Sequence, residues 1–220
     1  MVIPSAGLSL VVLRNVPLFS GLEESELERL ARVAGRRRVG RSEQVVRAGE
    51  TADALLIMLT GRAKVTNFDE EGREVILAWL GPGEFFGEMG LIDDSPRSAN
   101  VIAVENCELM VLGKQEFQRC MQDNFQVAQK LMQILVRRLR EADRHIESLA
   151  LLDVYGRVAR LLLDMSEEEG GRRVVRQKMS KQDMARMIGA SREMVSKVMR
   201  DLELGGYIVP QGDLIIITGA

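Results

Sequence analysis

Cysteine and histidine are almost missing from this chain. Two cysteines, Cys107 and Cys120, and a single histidine, His145, are spread over 220 residues, with no Cys-x-x-Cys spacing. That excludes a disulfide framework and a cysteine-built zinc site. It also leaves no metal-ligand cluster and no nucleophile–base constellation, so an enzyme is not expected. No apolar run approaches the length of a membrane span. The first residues lack the charged start and unbroken apolar core of a secretory signal. A cytoplasmic protein without a membrane partner is the expectation.

What is present is ordinary globular material, 46% hydrophobic and 28% charged. A chain this long is comfortable for two domains. The twelve methionines read as core filler. The net charge of −2 conceals an asymmetry: from Tyr155 onward there are 11 Lys+Arg against 9 Asp+Glu, or +2, which leaves −4 for residues 1–154. That sign suits a basic C-terminal module behind a more acidic one.

Residues 9–34 read as helical around a turn at Pro17–Ser20, with Ser20 or Gly21 preceding a helix over Leu22–Val33. From Val39 to Leu112 the pattern changes to short strands punctuated by glycine turns, such as Thr60-Gly61 and Gly81-Pro82-Gly83. Such spacing predicts a β-roll or jelly roll whose mouth holds a small ligand. Trp79 and the Phe85-Phe86 pair are expected in its core, and Arg36-Arg37-Arg38 as a solvated strand entry. A long helix follows over Phe125–Leu152. Along it Met132, Leu135, Leu139, Ala142, Ile146 and Leu149 recur at alternating spacings of three and four. That heptad seam predicts a parallel dimer, although one buried helix face gives the same pattern. Glu167–Gly171 reads as a polar loop. Val174-Val175 and the runs at Tyr207 and Leu214 read as the small strands of a wing.

One stretch interrupts the strands. Phe86–Val101 opens with Gly87-Glu88 and closes with Pro96-Arg97-Ser98-Ala99. Glycine lets the backbone approach a ligand closely. Glu88 offers acceptor oxygens suited to ribose hydroxyls. Arg97 offers a planar cationic fork for a phosphate, with the Ser98 hydroxyl beside it. Backbone N–H groups of the Ser98–Ala99 turn suit an anion-binding concavity. Together these form a compact nucleotide-reading cassette.

A second signature is Ser180–Leu202. Ser180 caps a first helix with Asp183 three residues on, Ala185 and Ile188 face inward, and Gly189 makes the tight turn. Ser191 caps a second helix whose buried stripe is Val195, Val198, Met199 and Leu202. Arg192, Glu193 and Lys197 remain to face outward, as in a helix-turn-helix reading a major groove. Arginine suits guanine O6/N7 and glutamate suits cytosine N4. Ser180, Lys181 and Gln182 suit phosphate contacts.

The cassette resembles that of cyclic-nucleotide-binding domains. Ala-Ser-Arg-Glu-Met-Val at 190–195 closely resembles the Cys-Ser-Arg-Glu-Thr-Val of the cyclic-AMP receptor protein (CRP/FNR) family of transcription regulators. The resemblance implies an α+β fold in three parts. These are a jelly-roll-like β-roll sensor over 1–124, a long dimerisation helix and hinge over 125–153, and a winged helix-turn-helix over 154–220. It implies ribose contacts from Gly87 and Glu88, with Met89 adjoining, and cyclic-phosphate contacts from Arg97, Ser98 and Ala99. Arg138 would pair with that glutamate, and Arg192 and Glu193 would read bases, with Lys197 where a second arginine is usual. The implied partners are a double-stranded DNA operator, a cyclic nucleotide, a second copy of the chain and RNA polymerase. No covalent cofactor or metal is implied, because the cysteine cluster of the family's iron–sulfur sensors is absent.

The match departs from the family on the long helix. Cyclic-AMP sensors usually place Thr-Ser there to read adenine, and here Ala142-Asp143 stands instead. Asp143 can accept from the N1–H and N2–H donors of guanine. Cyclic AMP is the first expectation because the cassette is intact. Cyclic di-GMP is the alternative, with Arg137, Arg140 and Arg144 for its second phosphate, and a ligand-independent regulator comes third.

Overall fold

The computed structural model describes residues 3–4, 10–176 and 179–218. The chain divides into two compact units, Met1–Arg137 and Arg138–Ala220. The fold class is α+β, as expected.

The first unit starts with strand β1 (Ile3–Pro4), helix α1 (Leu10–Arg14), a 3-10 turn (Pro17–Phe19) and helix α2 (Glu24–Val33). The turn expected at Pro17–Ser20 separates the two helices, and Ser9 lies outside the described residues. Pro17 has no N–H to continue a helix and instead opens the 3-10 turn. Neither Ser20 nor Gly21 caps α2. The N-cap is Glu23, whose N–H donates to the Glu26 carboxylate at 2.8 Å in a capping box.

There follow β2 (Gly35–Val39), β3 (Gln44–Val46), β4 (Ala54–Thr60), β5 (Ala63–Phe68), β6 (Glu74–Leu80) and β7 (Phe85–Phe86). Then come a short helix α3 (Met89–Ile92), β8 (Asn100–Ala103), β9 (Cys107–Gly113), α4 (Lys114–Asp123) and α5 (Phe125–Leu151). Two antiparallel sheets result, in the orders β1-β2-β9-β4-β7 and β3-β8-β5-β6. The arginine triplet is no strand entry but the body of β2, and Arg36 and Arg38 both reach Glu108 on β9, at 3.1 and 2.9 Å.

Strand β4 shows how the layers stack. Alternate side chains point to opposite faces of a strand. Leu56 and Met58 join Val101, Leu109 and Phe86 in one core. Leu55 and Ile57 join Phe19, Leu27, Phe117 and Leu131 in another, formed with the helices. Both faces of β4 are covered, so its sequence is a continuous apolar run without alternation. Phe85 and Phe86 are core residues as expected, whereas Trp79 is only half-buried.

Helix α5 carries two stripes. Val127, Leu131 and Ile134 are buried in the core of the first unit, with Leu135 packed at its margin. Met132, Leu139, Ala142, Ile146 and Leu149 are exposed. The heptad positions are thus mostly distinct from the face that the chain itself covers.

The second unit continues with α6 (Val154–Asp164), β10 (Glu167–Glu169), β11 (Arg172–Val175), α7 (Lys181–Ile188), α8 (Arg192–Leu204), β12 (Ile208–Gln211) and β13 (Leu214–Ile217). Its sheet runs β10-β11-β13-β12. Glu167–Glu169 is a strand where a loop was expected. Gly170 and Gly171, both at positive φ (57° and 78°), supply the tight hairpin turn. Glu168 and Glu169 lie opposite Arg173 and Arg172 in the ladder, and Glu169 is ion-paired with Arg176, so a strand with no apolar pattern sits among opposite charges.

Candidate functional site

Strand β7 pairs with β4 through Leu56 and Phe86, and the chain then turns at Gly87 with φ of 85°. A Cβ at this position would lie 1.9 Å from Arg97 Nη1 and 3.3 Å from the Ala54 carbonyl oxygen. Glycine is required here both by conformation and by space. The Arg97 guanidinium donates from Nη1 to Gly87 O at 2.8 Å and from Nη2 to Ala54 O at 2.7 Å. Nη2 also meets Asp53 Oδ1 at 3.4 Å.

The backbone of Arg97 is held as firmly as its side chain. Its N–H donates to Glu50 O and its carbonyl accepts from Gly49 N–H, both at 2.8 Å, so the β3–β4 turn grips it. The side chain is 5% exposed. Burial pulls the guanidinium pKa down and Asp53 opposes that shift; arginine remains a cation regardless. Three of its five N–H donors are engaged, leaving two to meet an oxyanion in a site where charge is poorly screened.

Glu88 is buried and precedes α3, while Met89 is exposed. Ser98 is exposed and Ala99 half-buried. The Ser98 carbonyl accepts from Asn67 Nδ2 at 3.3 Å, and its hydroxyl lies 3.8 Å from Met89 Sδ. Gly87, Met89, Arg97 and Ser98 are thus brought together. Two residues absent from the sequence reading complete the framework. Asp53 balances Arg97. Buried Asn100 ties β3 to β5, accepting from Gln44 Nε2 and Ala48 N–H and donating to Thr66 O. Neither sits in a recognisable local motif. Arg138, half-buried, and Ala142 and Asp143, both exposed, belong to the second unit.

In the second unit the caps form as read. Ser180 Oγ accepts from Asp183 N–H at 3.0 Å and donates to its carboxylate at 2.7 Å. Ser191 Oγ accepts from Met194 N–H at 3.2 Å. Gly189 closes α7 in the left-handed conformation. Ala185, Ile188, Val195, Val198 and Leu202 are buried with Val158, Leu162 and Ile208; Met184 joins them, and Met199 packs at the margin. Ser180, Lys181, Gln182, Ser191, Arg192, Glu193 and Lys197 are all exposed, all but Lys197 at the N-terminal turns of α7 and α8 and Lys197 one turn further along α8. Exposed cations at helix N-termini are suited to a phosphate backbone.

Residues 36–124 match the model of the cyclic nucleotide-binding domain, and residues 156–219 match that of the Crp-like helix-turn-helix domain. The chain belongs to the CRP/FNR family of transcription regulators. Among its family relatives, the cAMP-activated global transcriptional regulator CRP of Haemophilus influenzae is 34% identical over 183 residues, 80% of each chain. The cAMP-activated global transcriptional regulator Vfr of Pseudomonas aeruginosa is 32% identical over 203 residues, 88% of this chain and 94% of Vfr. Among solved CRP/FNR structures, the c-di-GMP responsive global regulator CLP of Xanthomonas campestris is similar at a TM-score of 0.73. It is 29% identical, covering 90% of this chain and 100% of CLP.

Among the described residues, no helix is long and apolar enough to cross a membrane. Among them also, no three or more His, Cys, Asp or Glu side chains are grouped to hold a metal ion.

Proposed function

We propose that this protein is a homodimeric regulator that binds cyclic AMP in the first unit and a pseudo-palindromic operator through the second. The observation that carries the nucleotide reading is the buried Arg97 guanidinium, pinned behind Gly87 with two donors remaining. Gly87 and Glu88 take the ribose, and Arg97 and Ser98 the cyclic phosphate, with Met89 and Ala99 adjoining. Arg138, Ala142 and Asp143 are the contributions from the long helix. The three-part division is into a sensor over 1–124, a dimerisation helix over 125–153 and a DNA-binding domain over 154–220.

Dimerisation is supported by the exposed stripe of α5, whose alternating three- and four-residue spacing suits a parallel coiled coil with a second copy. Two recognition helices related in this way would enter successive major grooves, with Arg192, Glu193 and Lys197 on base edges and Ser180, Lys181, Gln182 and Ser191 on phosphates. The effector acts by binding the DNA-competent state more tightly than the other. RNA polymerase is the partner implied by the relatives' regulatory role, and the nucleotide is bound without turnover.

Cyclic di-GMP is the second reading. It is favoured by Asp143, an exposed acceptor for guanine, and by the likeness to a regulator whose name records that response. Calorimetric titration of the wild type and of Arg97→Ala with each nucleotide tests the choice. Cyclic AMP binding that disappears in the variant supports the first reading. Cyclic di-GMP binding alone supports the second, and binding of neither overturns both.

A further inference from the structure

The second unit holds a small, partly open cavity remote in sequence from the cassette. Its walls are the C-terminal half of α5, the length of α6 and the end of α7. Arg157 reaches across it, donating from Nε to Leu152 O at 3.1 Å and from Nη1 to Ile188 O at 2.8 Å. All its acceptors are neutral carbonyls, so the charge of Arg157 is matched by no carboxylate among the described residues. Arg144, on the α5 wall, makes no ion pair there either. His145 and Ser148 add an imidazole and a hydroxyl to the same wall.

The lining holds three arginines against two carboxylates, Glu141 and Asp164, a net charge of +1 with His145 neutral. Asp164 is already taken by Arg160 at 3.5 Å. Arg144 and Arg157 therefore line the cavity with Glu141 as the other carboxylate of its lining. The volume is about 50 Å³. At about 10–15 Å³ for each water it would hold, that is room for one tetrahedral oxyanion and too little for a base or sugar.

We propose that this cavity binds a phosphate-class oxyanion, either the free ion or the phosphoryl end of a small metabolite. Guanidinium forks match such oxygens in charge and shape. The site rests on neither the cyclic-nucleotide nor the DNA reading. Because Arg157 fastens the α5–α6 connector to the end of α7, an anion here braces the helix-turn-helix against α5. It stabilises the second unit by linkage.

The test is calorimetric titration of the full-length protein, freed of phosphate, with inorganic phosphate at constant ionic strength, with chloride as control. Saturable binding is expected in the wild type and in Arg97→Ala, and binding about tenfold weaker in Arg144→Ala. Ser148→Ala, which removes no charge or fold contact, is expected to weaken it by a smaller factor. Glycerol phosphate in a parallel arm separates the sources: tighter binding than phosphate assigns a metabolite, and weaker binding assigns the free ion. Absence of saturable binding, equal binding in Arg144→Ala and Ser148→Ala, or loss in Arg97→Ala would each overturn the proposal.

Discussion

In the proposed function the cassette and the helix-turn-helix both present arginine to phosphate or base, yet they hold it in opposite ways. Arg97 is buried, and its grip comes from Gly49, Glu50, Asp53, Ala54 and Gly87, drawn from separate strands and turns. Arg192 stands in water on the first turn of a helix set by one local cap, Ser191. A small ligand offers few contacts, so each must be made in a desolvated site where charge interactions are strong. A long polyanion offers many, and exposed cations gain from releasing its counterions. The first solution costs conformational precision, and the second is local and modular.

The sharpest way to break this contrast is Gly87→Ala. The substitution strains a φ of 85° and drives a methyl into Arg97. The expected outcome is a loss of about 2 kcal/mol or more of sensor stability. Nucleotide affinity should fall about 100-fold or more, as read by denaturant titration and calorimetry. Next in size is Arg192→Ala, expected to cost about 1–3 kcal/mol at one operator base position. Lys181→Ala should instead weaken all sequences alike and lower the salt slope by about 1. Neither should move the melting temperature, since both side chains are exposed; a drop in melting would refute the modular half of the comparison.

Cap removal comes third. Ser180→Ala and Ser191→Ala each delete an N-cap hydrogen bond and should cost about 1 kcal/mol, seen as earlier thermal melting. Similar values for the two would show that α7 and α8 are set by equivalent local devices.

The smallest effect concerns the first unit's thiols. Burial raises the Cys120 pKa to about 11 and raises that of Cys107 as well. Each folded value lies above the unfolded one, about 8.5. Their stabilising contribution is therefore complete below about pH 8.5 and fades as pH rises toward the folded values. At pH 8 an aromatic disulfide reagent should label neither cysteine until the protein unfolds. Rapid labelling of the native protein would contradict the burial of both.

Much of this molecule follows from short-range order. The caps at Ser180 and Ser191, the left-handed Gly189 and the buried stripe of α8 are each set by contacts reaching no more than four residues along the chain, so their spacing alone identifies them. The glycine and arginine of the cassette are likewise visible, ten residues apart. What decides their chemistry is not. Asp53 and Ala54 lie 44 and 43 residues from Arg97, and Asn100 draws on partners up to 56 residues away; such bonds leave no local pattern. Glu167–Glu169 is a strand through its pairing with β11, which its own three glutamates do not announce. The heptad on α5 is plain in the sequence, but periodicity does not say which stripe its own chain covers. Packing decides that, burying Val127, Leu131 and Ile134 and leaving Met132, Leu139 and Ile146 in solvent, because burial depends on what arrives from elsewhere in the fold.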